Sequence, residues 1–435
     1  MELTIWQPAG RFRCMSTGVL KALIRDPSFR GTRHPATIAA LFFGRLVCKF
    51  HNREVPVNTA AMQKNSLLAI PRSRREFLAC TSCFGAYYAL ARTIPLPSVA
   101  ASVLADSRVS QTPLVDKGFA AVRKIGNGLY ATISDPTKGM VTLSNGGFLV
   151  GKDAALLIEG FTTPNGASFQ METLRSISQV PVKAALDTHY HFDHSMGNAF
   201  YGANGIPVWA HANAAQRITQ SYAPLQGADR AAVLEPYEKR VKDAKSDAER
   251  QHAQTDLNAI TGVFQIANST VIALPSHPID PSKPTAVDLG GLSATLEFYP
   301  GHSGTDIVVR VPEQNVVYAG DLLFNGWYPV TFDDKATISG WRSTLAKFAA
   351  FDKETIFVPG HGQICGQEGI ATIREVFDDI ASQAEKMYKA GVPAEEAAHR
   401  YVVPDKFKNF PIFAWGFTIG PAITKLYAEW QHKAG

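Results

Sequence analysis

The stretch "THYHFDHSMGN", residues 188–198, contains the strongest signal in this sequence. It places His189, His191, Asp193 and His194 within six consecutive positions. Imidazole nitrogens and carboxylate oxygens are ligands that Zn²⁺ accepts at about 2.0–2.2 Å. Alternate side chains of an extended segment share one face, so His189 and His191 can converge on one ion. Where the strand ends and the chain turns, Asp193 and His194 can point towards a neighbouring ion. The spacing therefore predicts two metals.

The motif resembles the H-x-H-x-D-H signature of the metallo-β-lactamase-fold hydrolases, which follows a β-strand. That family has three more ligands, each placed where a later strand ends and a loop begins. Here "YPGHSGTD" provides His302, "VVYAGDLLF" provides Asp321 and "FVPGHG" provides His361. The resemblance spans about residues 118–365.

The resemblance implies a ligand for each of seven positions. The first metal would be held by His189, His191 and His302, the second by Asp193, His194 and His361, and both by a bridging Asp321. It implies two divalent ions, with Zn favoured and Mn or Fe as alternatives. A hydroxide held between the ions would attack the substrate, with Asp193 as the catalytic residue that orients it.

Strand and helix patterns predict an α/β protein, an αββα four-layer sandwich. Segments such as "AVRKIGNGLYATIS" alternate apolar residues with Asn and Gly turn signals, as antiparallel strands do. Further along, short strands alternate with helical segments. A charged helical stretch predicts an insert at about 212–290, and helical segments at about 367–390 and 412–432 close the chain.

Charge and cysteine divide the chain in the same place. The formal net charge is +5, but residues 1–105 carry fourteen Lys/Arg against four Asp/Glu, which leaves −5 for residues 106–435. This balance argues against nucleic-acid binding. Four of the five cysteines also precede residue 106, and the remaining Cys365 has no partner for an internal disulfide.

The basic leader contains "SRREFL", residues 73–78, which resembles a twin-arginine export motif. An apolar run and "PLPSVAASVLA" follow, which predicts a signal peptide over 62–105 with cleavage after Ala101 or Ala105. Residues 1–61 are interpreted as an unstructured upstream extension, which a misassigned start codon would explain. We expect a periplasmic hydrolase domain over 106–435, the export machinery as a transient partner and no permanent membrane anchor.

The predicted reaction is hydrolysis of an ester, thioester, lactone or amide bond in a small-molecule substrate. A β-lactamase is the first alternative, but the best-known β-lactam-opening branches of the family carry cysteine or serine where this chain has Asp321. Further alternatives are a di-iron oxidoreductase and a non-catalytic metal-binding protein on the same fold. In layout, the chain looks most like periplasmic zinc metallohydrolases found beside quinoprotein systems.

The sequence context also predicts roles for several other residues. Glu159 stands where the family often has an aspartate that supports the site indirectly. Packing or structural roles are expected for Tyr190, Phe192, His211, His277 and Cys365. The insert and the carboxy-terminal helices are expected to form a lid and a pocket wall, and the loop "NGWYPVTFDD", with Trp327 and Tyr328, is a candidate wall.

Overall fold

The computed structural model describes Thr4–Trp6, Phe12–Cys14 and residues 101–434. The chain divides into two units, residues 1–72 and 73–435. In the first unit, β1 (Thr4–Trp6) and β2 (Phe12–Cys14) form an antiparallel pair. Most of the predicted upstream extension and of the predicted signal peptide lies outside the described residues.

The second unit contains an eight-stranded sheet in the order β10-β9-β8-β7-β6-β5-β4-β3. Neighbouring strands from β3 to β7 are antiparallel, and those from β7 to β10 are parallel. The bounds are β3 Val115–Asp116, β4 Ala120–Gly126, β5 Leu129–Ser134, β6 Gly146–Val150, β7 Ala155–Ile158, β8 Val182–Leu186, β9 Val208–His211 and β10 His277–Ile279.

A five-stranded sheet in the order β11-β12-β13-β14-β15 faces the first. Its strands are antiparallel except for the parallel pair β14–β15. The bounds are β11 Thr285–Asp288, β12 Ser293–Phe298, β13 Ile307–Val311, β14 Val316–Asn325 and β15 Ile356–Gly362.

Eleven α-helices occur among the described residues, and all belong to the second unit. They are α1 Ala101–Leu104, α2 Pro164–Ile177, α3 Phe192–Ser195, α4 Asn198–Ala203, α5 Ala214–Tyr222, α6 Arg230–Asp243, α7 Asp247–Ser269, α8 Ile338–Ala349, α9 Gln367–Lys389, α10 Ala394–Arg400 and α11 Ile419–Ala434. None of these helices combines the length and apolar character needed to cross a membrane.

Three apolar clusters separate four layers. Side chains of both sheets, such as Leu156 and Val309, pack between the sheets in one cluster. A second cluster joins the outer face of the eight-stranded sheet to α2 and α4. A third joins the outer face of the five-stranded sheet to α8, α9, α10 and α11. The predicted αββα four-layer sandwich is confirmed.

Local sequence explains why several elements begin and end where they do. Asn127 and Gly128 form the two-residue turn between β4 and β5, where Gly128 adopts a φ of 71°. Helix α2 begins at Pro164, because the Thr163 side chain caps its amino terminus and Pro164 takes the first helical position.

The predicted insert contains three helices (α5, α6 and α7), and its charged stretch is divided between α6 and α7. The chain returns to strand at β10 and β11, so the helical part is shorter than the predicted range 212–290. Helix α7 begins directly after Ser246, whose hydroxyl accepts a hydrogen bond from the backbone N–H of Glu249. The Glu249 carboxylate in turn accepts one from the backbone N–H of Lys245. These two hydrogen bonds cap the amino terminus of α7, so a second helix begins within the charged stretch.

Candidate metal centre

The histidine-rich motif lies at the end of β8, between the two sheets. Strand β8 ends at Leu186, and residues 188–191 form a series of bends before the short helix α3. The expected extended strand is therefore absent at this point. His189 and His191 nevertheless converge, with Nε2 of His189 3.0 Å from Nδ1 of His191.

The five-stranded sheet supplies the other three predicted ligands. His302 lies in the loop after β12. Asp321 lies within β14 rather than after it, where the pairing register with β15 shifts between Gly320 and Phe324. His361 is the penultimate residue of β15. The expectation that all three follow a strand is correct for His302 only, because β14 continues beyond its irregular segment and β15 extends through the Gly-His-Gly turn.

The first group of donors surrounds Nδ1 of His191. Nε2 of His302 lies 2.8 Å from that atom. Oδ2 of Asp321 lies 3.4 Å from Nε2 of His302 and 3.9 Å from Nε2 of His189. These four residues offer ligand atoms that all lie within 4.8 Å of one another.

The second group contains Asp193, His194 and His361. Oδ2 of Asp193 lies 3.1 Å from Nε2 of His361 and 3.6 Å from Nε2 of His194. Oδ1 of Asp321 lies 3.2 Å from Nε2 of His194 and 3.4 Å from Nε2 of His361. Asp321 therefore turns one carboxylate oxygen towards each group, which is the arrangement expected of a bridging ligand.

These donors fit a pair of metal ions. All seven side chains are buried. Nε2 of His194 and Oδ1 of Asp321 are buried without a hydrogen-bond partner among the described residues, which is costly unless another group satisfies them. Nδ1 of His302 lies 2.9 Å from the carbonyl oxygen of Val330. Donation to that carbonyl would leave Nε2 free to ligate. The structure brings all seven residues together, and their role as ligands stays a prediction.

The histidines of the two groups differ in the direction of their pKa shifts. Burial, together with the neighbouring histidines, lowers the pKa of His189 well below its usual value and that of His302 to about 3. Both rings are therefore held in the neutral form that binds metal. Burial would lower the pKa of His361 as well, but Asp321 and Asp193 outweigh it and raise that pKa to about 9. A bound cation would take the place of that proton.

Glu159 lies behind the site, as expected from the sequence. Oε1 of its carboxylate accepts a hydrogen bond of 2.6 Å from the hydroxyl of Thr188 and lies 3.1 Å from Nδ1 of His194. Its backbone adopts a φ of 82°, which is strained for a residue with a side chain. This contact to the far side of His194 identifies Glu159 as a support for the second group.

Asp333 is a functional candidate that the sequence did not reveal. Its Oδ2 lies 3.3 Å from Nε2 of His191 and accepts a hydrogen bond of 2.5 Å from the hydroxyl of Tyr190. Arg217, from α5, donates to the same oxygen at 3.0 Å and also bonds to Asp334. The only signal was the acidic pair that ends the predicted wall loop, and nothing in the sequence linked that pair to His191.

A cavity of about 290 Å³ opens onto the two groups of donor residues. Its walls include Phe192 and Tyr190, which also belong to a buried apolar cluster, in agreement with their expected packing role. The insert contributes Tyr222, and the carboxy-terminal segment contributes Phe417. These contributions agree with the predicted role of both regions as cavity walls.

The prediction that the loop with Trp327 and Tyr328 forms a cavity wall is partly correct. Trp327 lines the cavity. Tyr328 is fully buried elsewhere, and its hydroxyl lies 3.1 Å from that of Tyr401. Phe332, from the same loop, stacks on His191 with ring centroids 5.1 Å apart. It also borders a second cavity of about 740 Å³, which lies between the insert and the carboxy-terminal helices and has charged walls.

Three residues with expected packing or structural roles, His211, His277 and Cys365, lie outside the two donor groups. His211 is buried at the end of β9, and its Nδ1 accepts a hydrogen bond from the backbone N–H of Asn213. His277 is exposed in edge strand β10 rather than in a loop. Cys365 is a free, fully buried thiol in the cluster under α9, which agrees with its expected packing role.

Two curated proteins are similar to this chain in sequence. A linear primary-alkylsulfatase from Pseudomonas sp. (strain ATCC 19151) is 24% identical over 252 residues, which cover 54% of this chain and 46% of that protein. A metallo-beta-lactamase type 2 from Bacteroides fragilis is 27% identical over 141 residues, which cover 32% of this chain and 55% of that protein. The chain thus spans about half the length of these two curated relatives.

Among solved structures, the inverting sec-alkylsulfatase Pisa1 from Pseudomonas sp. superposes with a TM-score of 0.48 at 14% identity, covering 72% of this chain and 50% of that chain. The family model of the metallo-beta-lactamase superfamily matches residues 139–361, which is more than half of the sequence. That range contains all seven of the converging histidines and aspartates. The chain therefore belongs to the metallo-beta-lactamase superfamily.

Proposed function

We propose that this protein is an exported, metal-dependent hydrolase that cleaves an ester, thioester, lactone or amide bond of a small molecule. The observation that carries the proposal is the pair of buried donor groups, joined by Asp321, at one end of an apolar cavity. The hydrolases named among its relatives support the reaction class.

The two groups assign a set of ligands to each ion. One ion would be held by His189, His191 and His302, the other by Asp193, His194 and His361, and Asp321 would serve both. Two divalent ions held by these residues would supply an activated water and positive charge opposite the reacting bond.

The chain itself supplies orientation and a dry environment. Asp193 borders the cavity beside His361 and Asp321, so its carboxylate can accept a hydrogen bond from the attacking water. Asp333 holds the ring of His191 from behind through Nε2. Aromatic walls such as Trp327 and Phe192 limit bulk water around the reacting bond.

A second candidate is the hydrolysis of an alkyl sulfate ester. The alkylsulfatase relative covers a longer stretch of this chain than the lactamase relative does, and an apolar cavity suits an alkyl group. A β-lactam substrate is the third candidate, supported by the relative from Bacteroides fragilis.

Export remains part of the proposal, supported by the arginine pair and apolar run that precede the described domain. Val103 is buried and packs in the cluster between the sheets. Cleavage after Ala101 would leave this contact intact, whereas cleavage after Ala105 would remove it. We therefore favour Ala101 as the last residue of the signal.

Metal analysis followed by substrate screening tests the function. We expect the purified full-length protein, equilibrated with Zn²⁺ and passed through a desalting column, to retain two ions per chain by elemental analysis. It should then hydrolyse phenyl esters or lactones faster than dodecyl sulfate or nitrocefin. Retention of one ion or none would contradict the dinuclear proposal, and preferred turnover of nitrocefin or dodecyl sulfate would replace the predicted substrate class.

A further inference from the structure

The cavity beside the metal groups has an unusual composition. Apart from the predicted ligands, its lining consists of nine aromatic residues, five aliphatic residues and one serine. The aromatic set includes Tyr237 from α6, Phe332 from the wall loop and Phe413 from the segment before α11. Its volume of about 290 Å³ is at the lower end of the range of small-molecule sites.

No lysine, arginine or glutamate lies among the residues that line this cavity. Arg217, outside the lining, bonds to Asp333 and Asp334 and covers the ring of Tyr190 at 4.8 Å. The ammonium group of Lys425 donates a hydrogen bond to the backbone oxygen of Asp333. Both cations are therefore engaged outside the lining, and neither is available to a ligand inside it.

We propose that the part of the substrate carried by this cavity is uncharged and apolar, so that the enzyme acts on neutral alkyl or aryl esters, thioesters or lactones. This inference rests on the proposed hydrolase function, and it narrows the substrate class. A charged substituent away from the reacting bond would lose its hydration and find no counter-ion in these walls, which is strongly unfavourable.

The proposal separates the candidate substrates by their chemistry. A β-lactam antibiotic carries a carboxylate next to the amide that is opened, and a glutathione thioester carries two carboxylates and an ammonium group. Both would place charge against rings such as Phe417 and Tyr222. A phenyl or alkyl ester of a medium-length fatty acid places only carbon there.

A matched substrate pair tests the discrimination. Phenyl hexanoate and the monophenyl ester of adipic acid have the same chain length, but the second ends in a carboxylate. We expect kcat/KM of the metal-loaded protein to be about 100-fold higher for the neutral ester, as the cost of burying a carboxylate implies. Equal values for the two esters would overturn the inference while leaving the hydrolase function intact.

A substitution inside the cavity should weaken the preference for the neutral ester. Ile260, on α7, is a half-buried lining residue, and Ile260→Lys places an ammonium group beside the substrate. We expect this variant to narrow the ratio between the two esters by at least about tenfold. Val271→Lys, at a position that is 73% exposed on the same insert, is the matched control and should leave the ratio unchanged. An unchanged ratio in a folded Ile260→Lys variant would contradict the proposal.

Binding of an inert analogue separates this inference from catalysis. Benzyl alkyl ketones resemble phenyl esters but cannot be hydrolysed. Calorimetric affinity for the metal-loaded protein should rise about fourfold for each methylene added from the propyl to the pentyl ketone. A flat series would overturn the inference even without any turnover. A rising series with no ester cleavage would support the apolar cavity and refute the hydrolase function.

Discussion

The carboxylate of Asp333 lies 3.3 Å from Nε2 of His191, on the side of the ring opposite the nitrogen that faces the metal groups. A carboxylate in this position fixes the tautomer and the orientation of a metal-binding imidazole. The same oxygen accepts hydrogen bonds from Tyr190 and Arg217, so the carboxylate is itself held in place.

Asp333→Ala should weaken metal binding by about 10- to 100-fold, because His191 loses its orienting acceptor. Chelator-competition titration measures the dissociation constants. Asp333→Asn retains an oxygen acceptor and should recover part of the affinity. Asp334→Asn is the matched control, since this neighbour also bonds to Arg217 but does not contact His191. Equal affinities in all four proteins would exclude a positioning role for Asp333.

Asp321→Ala should reduce activity far more than Cys365→Ala does. Asp321 faces both donor groups, so its removal deprives each predicted ion of a ligand. We expect a loss of at least about 100-fold in kcat/KM with a lower metal content. The buried thiol of Cys365 lies in the core and contacts no predicted ligand. Comparable losses would mean that the bridging assignment is wrong.

Gly360→Ala tests whether the carboxylate of Asp321 must keep its present position for two ions to bind. A Cβ added at Gly360 would lie 1.9 Å from Oδ1 of Asp321 and 2.8 Å from its backbone nitrogen, so the carboxylate and the adjoining backbone would both have to shift. The variant should retain fewer than two ions per chain by elemental analysis. Gly202→Ala, where the added Cβ meets nothing within 4 Å, is the control and should retain the full metal content. Full occupancy in Gly360→Ala would show that Asp321 can bridge from another position.

His252 should make stability depend on pH. Its ring stacks on Trp415 at 3.6 Å, and burial, with the nearby His399, lowers its pKa to about 4 against the opposing effect of Glu249. The unfolded chain binds this proton near pH 6.5, so the folded state loses stability as the pH falls from about 6.5 to 4. Above that window the stabilisation is fully present.

His252→Phe retains a ring on Trp415 and removes the proton-binding group, so it should reduce the loss of unfolding free energy between pH 6.5 and 4. Part of the loss should persist, because His189 and His302 also have lowered pKa values. Urea titrations at several pH values measure this slope. His277→Phe is the matched control, because His277 also lies against a tryptophan ring but is exposed. A slope in His252→Phe as steep as that of the parent protein would refute the assignment.

The order of the motifs predicted much of the fold and of the candidate site. His189 and His191 are two residues apart, so their convergence depends on local geometry that the sequence encodes directly. The Asn127–Gly128 turn likewise follows from local conformational preference.

Long-range contacts could not be predicted in the same way. Asp333 and His191 are 142 residues apart, and Arg217 and Asp333 are 116 apart. The cavity joins residues from the insert, the wall loop and the segment before α11. Hydrophobic periodicity shows that such residues are buried, but it does not show which of them share a wall.

The seven clustered residues extend along the chain from His189 to His361, and the two sheets contribute to both donor groups. A nascent chain that has not yet emerged as far as β15 lacks His361, and one that ends before β14 also lacks Asp321. Binding of both predicted ions would therefore be a late event in biosynthesis, which follows the translation of the whole β-scaffold.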